Sequence, residues 1–98
     1  MAISYIGLSK LDELEKFTIK KLSERSYKKI ERYIKNPLVR LNIKKQKIGG
    51  NRHRISLNAT ATGSNARFSS VADEWDIAIA THKVFDRLQR EIRHKIKV

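Results

Sequence analysis

The sequence predicts an α+β fold of order (β)-α-β-β-β-α, a mainly antiparallel sheet with two helices packed on one of its faces. Three observations carry this. Residues 9–35 and 76–97 repeat apolar positions at helical spacing. Between them, residues 38–71 alternate apolar and polar at period two. Two Gly-containing clusters, Gly49-Gly50-Asn51 and Gly63-Ser64-Asn65, cut that alternation into three strands joined by hairpins. One strand face is apolar and the other polar, so the helices should cover one side only. Ninety-eight residues suit a single domain spanning 1–98.

Ile3-Ser4-Tyr5-Ile6, with Leu8, reads as a short first strand. Ser9 is the expected N-cap of the first helix, followed by Asp12 and Glu13, acids that suit the positive end of a helix dipole. Asn36-Pro37 ends it, because the residue before Pro is pushed out of helical geometry. Inside this helix the apolar phase shifts. Leu11, Leu14 and Phe17 mark one face, while Ile19, Leu22, Tyr27, Ile30, Tyr33 and Ile34 mark another. Either the helix starts late, near residues 14–16, or it starts at Ser9 and uses both faces.

In the strands, Val39, Leu41 and Ile43 alternate with Arg40, Asn42 and Lys44. His53, Ile55, Leu57, Ala59 and Ala61 alternate with Arg54, Ser56, Asn58, Thr60 and Thr62, and Ala66, Phe68 and Ser70 with Arg67 and Ser69. Lys44-Lys45-Gln46-Lys47 and Arg52-His53-Arg54 are expected at loop ends. The last helix should start at Asp76 as N-cap, with Trp75 stapled onto Ala80. Ile77, Ala80, Val84, Leu88, Ile92 and Ile96 form its apolar stripe.

Charge dominates the chain: 22 Lys and Arg against ten Asp and Glu leave +12. Such an excess repels itself on folding and calls for a polyanionic partner. The helical wheels locate it. Lys83, Arg87, Arg90, His94 and Lys97 lie opposite the stripe of the last helix, and Lys21, Arg25, Lys28, Arg32 and Lys35 repeat the pattern on the first. An ordinary solvated face mixes signs to gain i,i+4 pairs of about 0.2–0.5 kcal/mol each. Each stripe here is of one sign, so two helices side by side would carry two cationic rails. A phosphate backbone is the anion that fits across them. The open sheet face adds Arg40, Lys44, Arg54 and Arg67 among Asn42, Ser56, Asn58 and Thr60, as a second contact surface or a solvated face. Tyr27, Tyr33, Phe68 and Trp75 are mostly expected in the core, which argues against base-by-base reading of a single strand.

Catalytic signatures are missing. The chain has no Cys, hence no disulfide framework, thiolate metal site or thiol nucleophile. His53, His82 and His94 lack metal-ligand spacing, and no Gly-rich phosphate loop occurs. Asp73, Glu74 and Asp76 are explained by capping. The expectation is a binding protein rather than an enzyme, with no cofactor, metal or small-molecule substrate. With no long apolar run and no leader-like start, it is expected in the cytoplasm, off the membrane, and monomeric when free.

The run Asp86-Arg87-Leu88-Gln89-Arg90-Glu91-Ile92-Arg93-His94-Lys95 follows a pattern of Asp-Lys-Leu-x-Arg-Gln-Leu-x-Lys, after a helix start at Asp76. Arg25-Ser26-Tyr27-Lys28-Lys29-Ile30-Glu31-Arg32-Tyr33-Ile34 alternates Lys with apolar residues before a terminal aromatic. In these stretches, and in their order and spacing over residues 19–97, the chain resembles the ribosome hibernation-promoting factor family, which includes the ribosome-associated inhibitor. It departs from the family at residues 1–13, at Ser26, where a Lys is common, and at Ala80-Thr81-His82, where the family has Ala-Ile-Asp. The resemblance implies a short-form stress factor, without the extra domain of long forms, that binds the rRNA of the small ribosomal subunit near the decoding region and inhibits translation. On matching positions it implies RNA contacts for Lys28, Lys29, Arg32, Arg87, Arg90 and Arg93, and more loosely for Lys83 and Lys95.

Two other readings compete. Deleting the first strand leaves helix, three strands, helix, the order of a double-stranded RNA-binding domain, although that fold opens its last helix with lysines, where this chain has Asp73-Glu74-Trp75-Asp76. A basic structural subunit of a ribonucleoprotein would carry the same charge.

Overall fold

The computed structural model describes residues 3–50, 52–63 and 66–96, without the side chain of residue 96. The order is β1 (Ile3–Ile6), a 3-10 turn (Leu8–Lys10), α1 (Glu13–Ile30), β2 (Leu38–Gly49), β3 (Arg52–Thr62), β4 (Arg67–Glu74) and α2 (Ile77–Ile96). The four strands lie in the sheet in chain order. β2, β3 and β4 form an antiparallel meander, whereas β1 runs parallel to β2 with Ile3 opposite Val39 and Ile6 opposite Asn42. The sheet is therefore mixed, and α1 is part of the crossover that a parallel pair requires.

The register explains the core. Val39 faces Ala61, Leu41 faces Ala59, Ile43 faces Leu57, and across the next ladder Leu57 faces Ala72 and Ala61 faces Phe68. All of these are buried and form one cluster with Ile19, Tyr27 and Ile30 of α1 and Val84, Phe85, Leu88 and Ile92 of α2. Both helices thus cover the same sheet face, as the alternation predicts. Gly7 joins β1 to the 3-10 turn at φ 88°, and a Cβ there would collide with the Ile43 carbonyl oxygen. Only glycine combines that left-handed backbone with so close an approach.

The start of the first helix differs from expectation. Ser9 is not its cap but lies in the 3-10 turn. Asp12 is the N-cap: its Oδ1 accepts the Glu15 N–H at 2.8 Å, while the Asp12 N–H donates to Glu15 Oε1 at 3.0 Å. This reciprocal pair satisfies two backbone donors at once, which a lone Ser9 would not. The helix then uses one face. Ile19, Ser23, Tyr27 and Ile30 are buried, whereas Leu14 and Phe17 are 75% and 64% exposed. Leu11 is buried from just ahead of the helix. The α-helix also ends earlier, at Ile30, so Tyr33 and Lys35 lie beyond it. The Tyr27 hydroxyl donates to the Pro37 carbonyl at 2.7 Å and ties the exit of α1 to the chain entering β2.

The hairpin of β2 and β3 is longer than predicted. Lys44, Lys45, Gln46 and Lys47 are paired with Ser56, Ile55, Arg54 and His53, so both basic clusters expected at loop ends belong to strands. Ladder hydrogen bonds from the partner strand hold this ribbon where side-chain pattern alone predicts a loop. His53, predicted on the apolar side, is exposed because the ribbon has passed the end of the core. The last helix follows expectation. Asp76 Oδ1 accepts from the N–H groups of Ala78 and Ile79 at 2.9 and 3.1 Å, and Ile77, Ala80, Val84, Leu88 and Ile92 are buried. The side chain of Ile96 lies outside the described residues. Trp75 is not tucked against Ala80; it is 57% exposed. Among the described residues, no helix is long and apolar enough to cross a membrane.

Candidate nucleic-acid interface

Leu14 and Thr18 of α1 line one pocket with Ile77 and Ala78 of α2, while Ser26 and Lys29 share a groove of about 280 Å³ with His82, Lys83, Asp86 and Gln89. The helices therefore run in the same direction, start beside start. Their solvent faces hold the predicted cations, but in two different conditions.

On α1, Lys21, Arg25, Lys28 and Lys29 are all exposed, as are Arg32 and Lys35 beyond the helix. Among the described residues, none of these six has a carboxylate within 4.0 Å. The acids of the first turn are engaged elsewhere: Glu13 pairs with Lys16 at 3.2 Å, and Glu15 with Lys45 at 2.8 Å. The outer face of α1 thus stays net positive beside the exposed Glu24 and Glu31, and an anion arriving there displaces no ion-pair partner among the described residues.

On α2 the expected single-sign rail is largely paired. Lys83 Nζ meets Glu74 Oε2 at 2.5 Å, Arg87 Nη1 donates to the Val71 carbonyl at 2.7 Å, and Arg90 meets Asp86 at 3.1 Å. Lys95 pairs with Glu91 at 3.2 Å. Arg93 and His94 are exposed and have no carboxylate partner among the described residues, and Lys97 lies outside them. Lys83 and Arg87 thus bond to β4, while Lys83 also lines the groove it shares with Lys29 of α1. The wheel of one helix shows which residues share a face, but Glu74 and Val71 come from a strand and enter only with tertiary packing. Exposed pairs of this kind are worth about 0–1 kcal/mol each, so phosphate can displace them at modest cost.

The open sheet face exposes Arg40, Lys44, Arg54 and Arg67, with Arg54 held 3.7 Å from Asp73. Tyr5 sits on the other side, against the helices. Burial raises its hydroxyl above the ordinary 10.0, against the opposing effect of a hydrogen bond with Ser23. Among the described residues, no three His, Asp or Glu side chains converge to hold a metal ion.

Three aromatic residues, Phe17, Tyr33 and Trp75, are exposed, contrary to the sequence-based expectation for Tyr33 and Trp75. Lys21 Nζ lies 5.9 Å from the centroid of the exposed Phe17 ring, and the Arg52 guanidinium carbon lies 5.9 Å from that of Trp75. The phase mismatch of Phe17 with the Ile19–Ile30 stripe carried this signal. Trp75 precedes its helix, where periodicity has no bearing. Tyr27 and Phe68 are buried as expected. No protein-family model matches the chain, and neither does any curated protein.

Proposed function

We propose that the protein binds the rRNA of the small ribosomal subunit near the decoding region and inhibits translation there, with the outer face of α1 as the principal contact. One observation carries this reading: Lys21, Arg25, Lys28 and Lys29 on α1, with Arg32 just past its end, have no carboxylate partner among the described residues, in a chain of net charge +12. Cations without internal partners gain the most from a phosphate backbone, because nothing is given up but their counterions. Arg93 and His94 extend the basic surface, and Lys83, Arg87 and Arg90 join it by exchanging partners.

The presence of β1 weighs against a double-stranded RNA-binding domain, whose order requires its absence. So does the start of α2. Asp76 already occupies the first free N–H groups there. A duplex binder opens its last helix with lysines over the phosphates, where this chain has a capping carboxylate.

The test is co-sedimentation of purified protein with small ribosomal subunits, with plain duplex RNA as competitor at matched salt. The expected result is retention on the subunit, competition with initiator transfer RNA and depressed translation in a purified system. Preference for simple duplex, or binding that leaves translation unchanged, overturns the proposal.

A further inference from the structure

A cleft opens where the β2–β3 ribbon projects past the helix starts. It has a volume of about 630 Å³ and is lined by Trp75, Arg52, His53 and Lys45, with Asp12 and Glu15. That volume falls within the roughly 300–1,000 Å³ of ordinary small-ligand sites. Trp75 exposes 57% of its surface here, a costly arrangement for the one Trp of the chain. Its ring is met by the Arg52 guanidinium at 5.9 Å. Arg52 and His53 are exposed at the mouth of the cleft.

The geometry points to a nucleotide-binding notch: an unstacked base of a single-stranded RNA segment lies against the Trp75 indole, and Arg52 and His53 hold the adjoining phosphate. The chemistry is that of single-strand recognition, where an aromatic face takes any base and cations follow the backbone. An exposed indole alone would suit many apolar ligands. The guanidinium over its ring, with His53 beside it at the mouth, selects a planar ligand that carries an anionic group. Of the two acids in the lining, Glu15 is paired with Lys45, and Asp12, which keeps its charge, accepts from the cap of α1. The inference rests on the RNA-binding reading above and deepens it. It gives the protein a second contact, to unpaired nucleotides, at the end of the molecule where the helices begin.

The single Trp makes the test direct. Single-stranded oligoribonucleotides of four to eight residues, labelled at one end, are titrated into the protein while label anisotropy and Trp emission are followed together. The expected result is saturable quenching of Trp75 in step with anisotropy, and about tenfold weaker binding in both Trp75→Leu and Arg52→Ala. Lys28→Gln with Arg32→Gln weakens binding yet keeps the quench at saturation, which separates the notch from the α1 face. RNA bound with unchanged emission and no loss in Trp75→Leu overturns the notch and leaves the α1 reading standing. No RNA bound by the wild type under low salt overturns both. Quenching by an acidic peptide but not by RNA also overturns the notch as a nucleotide site.

Discussion

Replacing Lys28 and Arg32 together by Gln gives the sharpest test of the α1 face. Both side chains are exposed and neither has a carboxylate within 4.0 Å among the described residues, so the change removes charge and no described ion pair. Each phosphate contact contributes about 0.7–0.9 to the slope of log K against log salt. Losing two contacts should therefore flatten that slope by about 1.4–1.8. At physiological salt, the release of one counterion is worth about 0.8–1 kcal/mol, so the double variant should bind small subunits about 15- to 30-fold more weakly. Folding stability should change by no more than about 1 kcal/mol, mainly through loss of Lys28 from the last turn of α1. The assay is filter binding or sedimentation at five salt concentrations, with a denaturant titration of each variant. Arg87→Gln with Arg90→Gln is the internal control. These residues surrender a hydrogen bond to Val71 and a pair with Asp86 before they can meet phosphate, so their loss should flatten the slope by less. An unchanged slope in the α1 variant, or a larger change in the α2 variant, would refute the reasoning.

Leu57→Asp places a charge at a site 1% exposed between Ile43 and Ala72, and should cost roughly 3 kcal/mol or more in a denaturant titration. Tyr27→Phe leaves the Pro37 carbonyl without its 2.7 Å donor and should cost about 1–3 kcal/mol by the same measurement. The Tyr5 hydroxyl is raised from 10.0 in the folded protein, mainly by burial, so its contribution to stability is complete below that pH and is lost as pH rises through the folded value. Tyr5→Phe should therefore show a shallower decline in stability than the wild type above about pH 10, and parallel declines would count against this account.

The antiparallel meander and the last helix could be read without coordinates because their signals are local. Alternation at Val39–Ile43 and Ile55–Ala61, the stripe from Ile77 to Ile92 and the Asp76 cap each depend on residues a few positions apart. Five cations of the first-helix set, Lys21, Arg25, Lys28, Arg32 and Lys35, could likewise be named from one wheel, whereas Lys29 entered only through the family resemblance. Other features required distant parts of the chain to meet. Four-residue β1 gains its hydrogen bonds from β2, over thirty positions away, so its own pattern carries little information. Leu14 and Phe17 stay largely in solvent because the face of α1 that meets the core is the one carrying Ile19, Ser23, Tyr27 and Ile30. Charge pairing divides the same way. Composition and periodicity set where Lys83, Arg87 and Arg90 sit on their helix, but Glu74 and Val71, supplied by β4, decide whether two of them are free. Trp75 and Arg52, 23 positions apart in the sequence, meet only because the β2–β3 ribbon outruns the core and brings its cations back over the start of α2. Backbone pattern is a property of neighbours in sequence, whereas exposure and ion pairing are properties of neighbours in space.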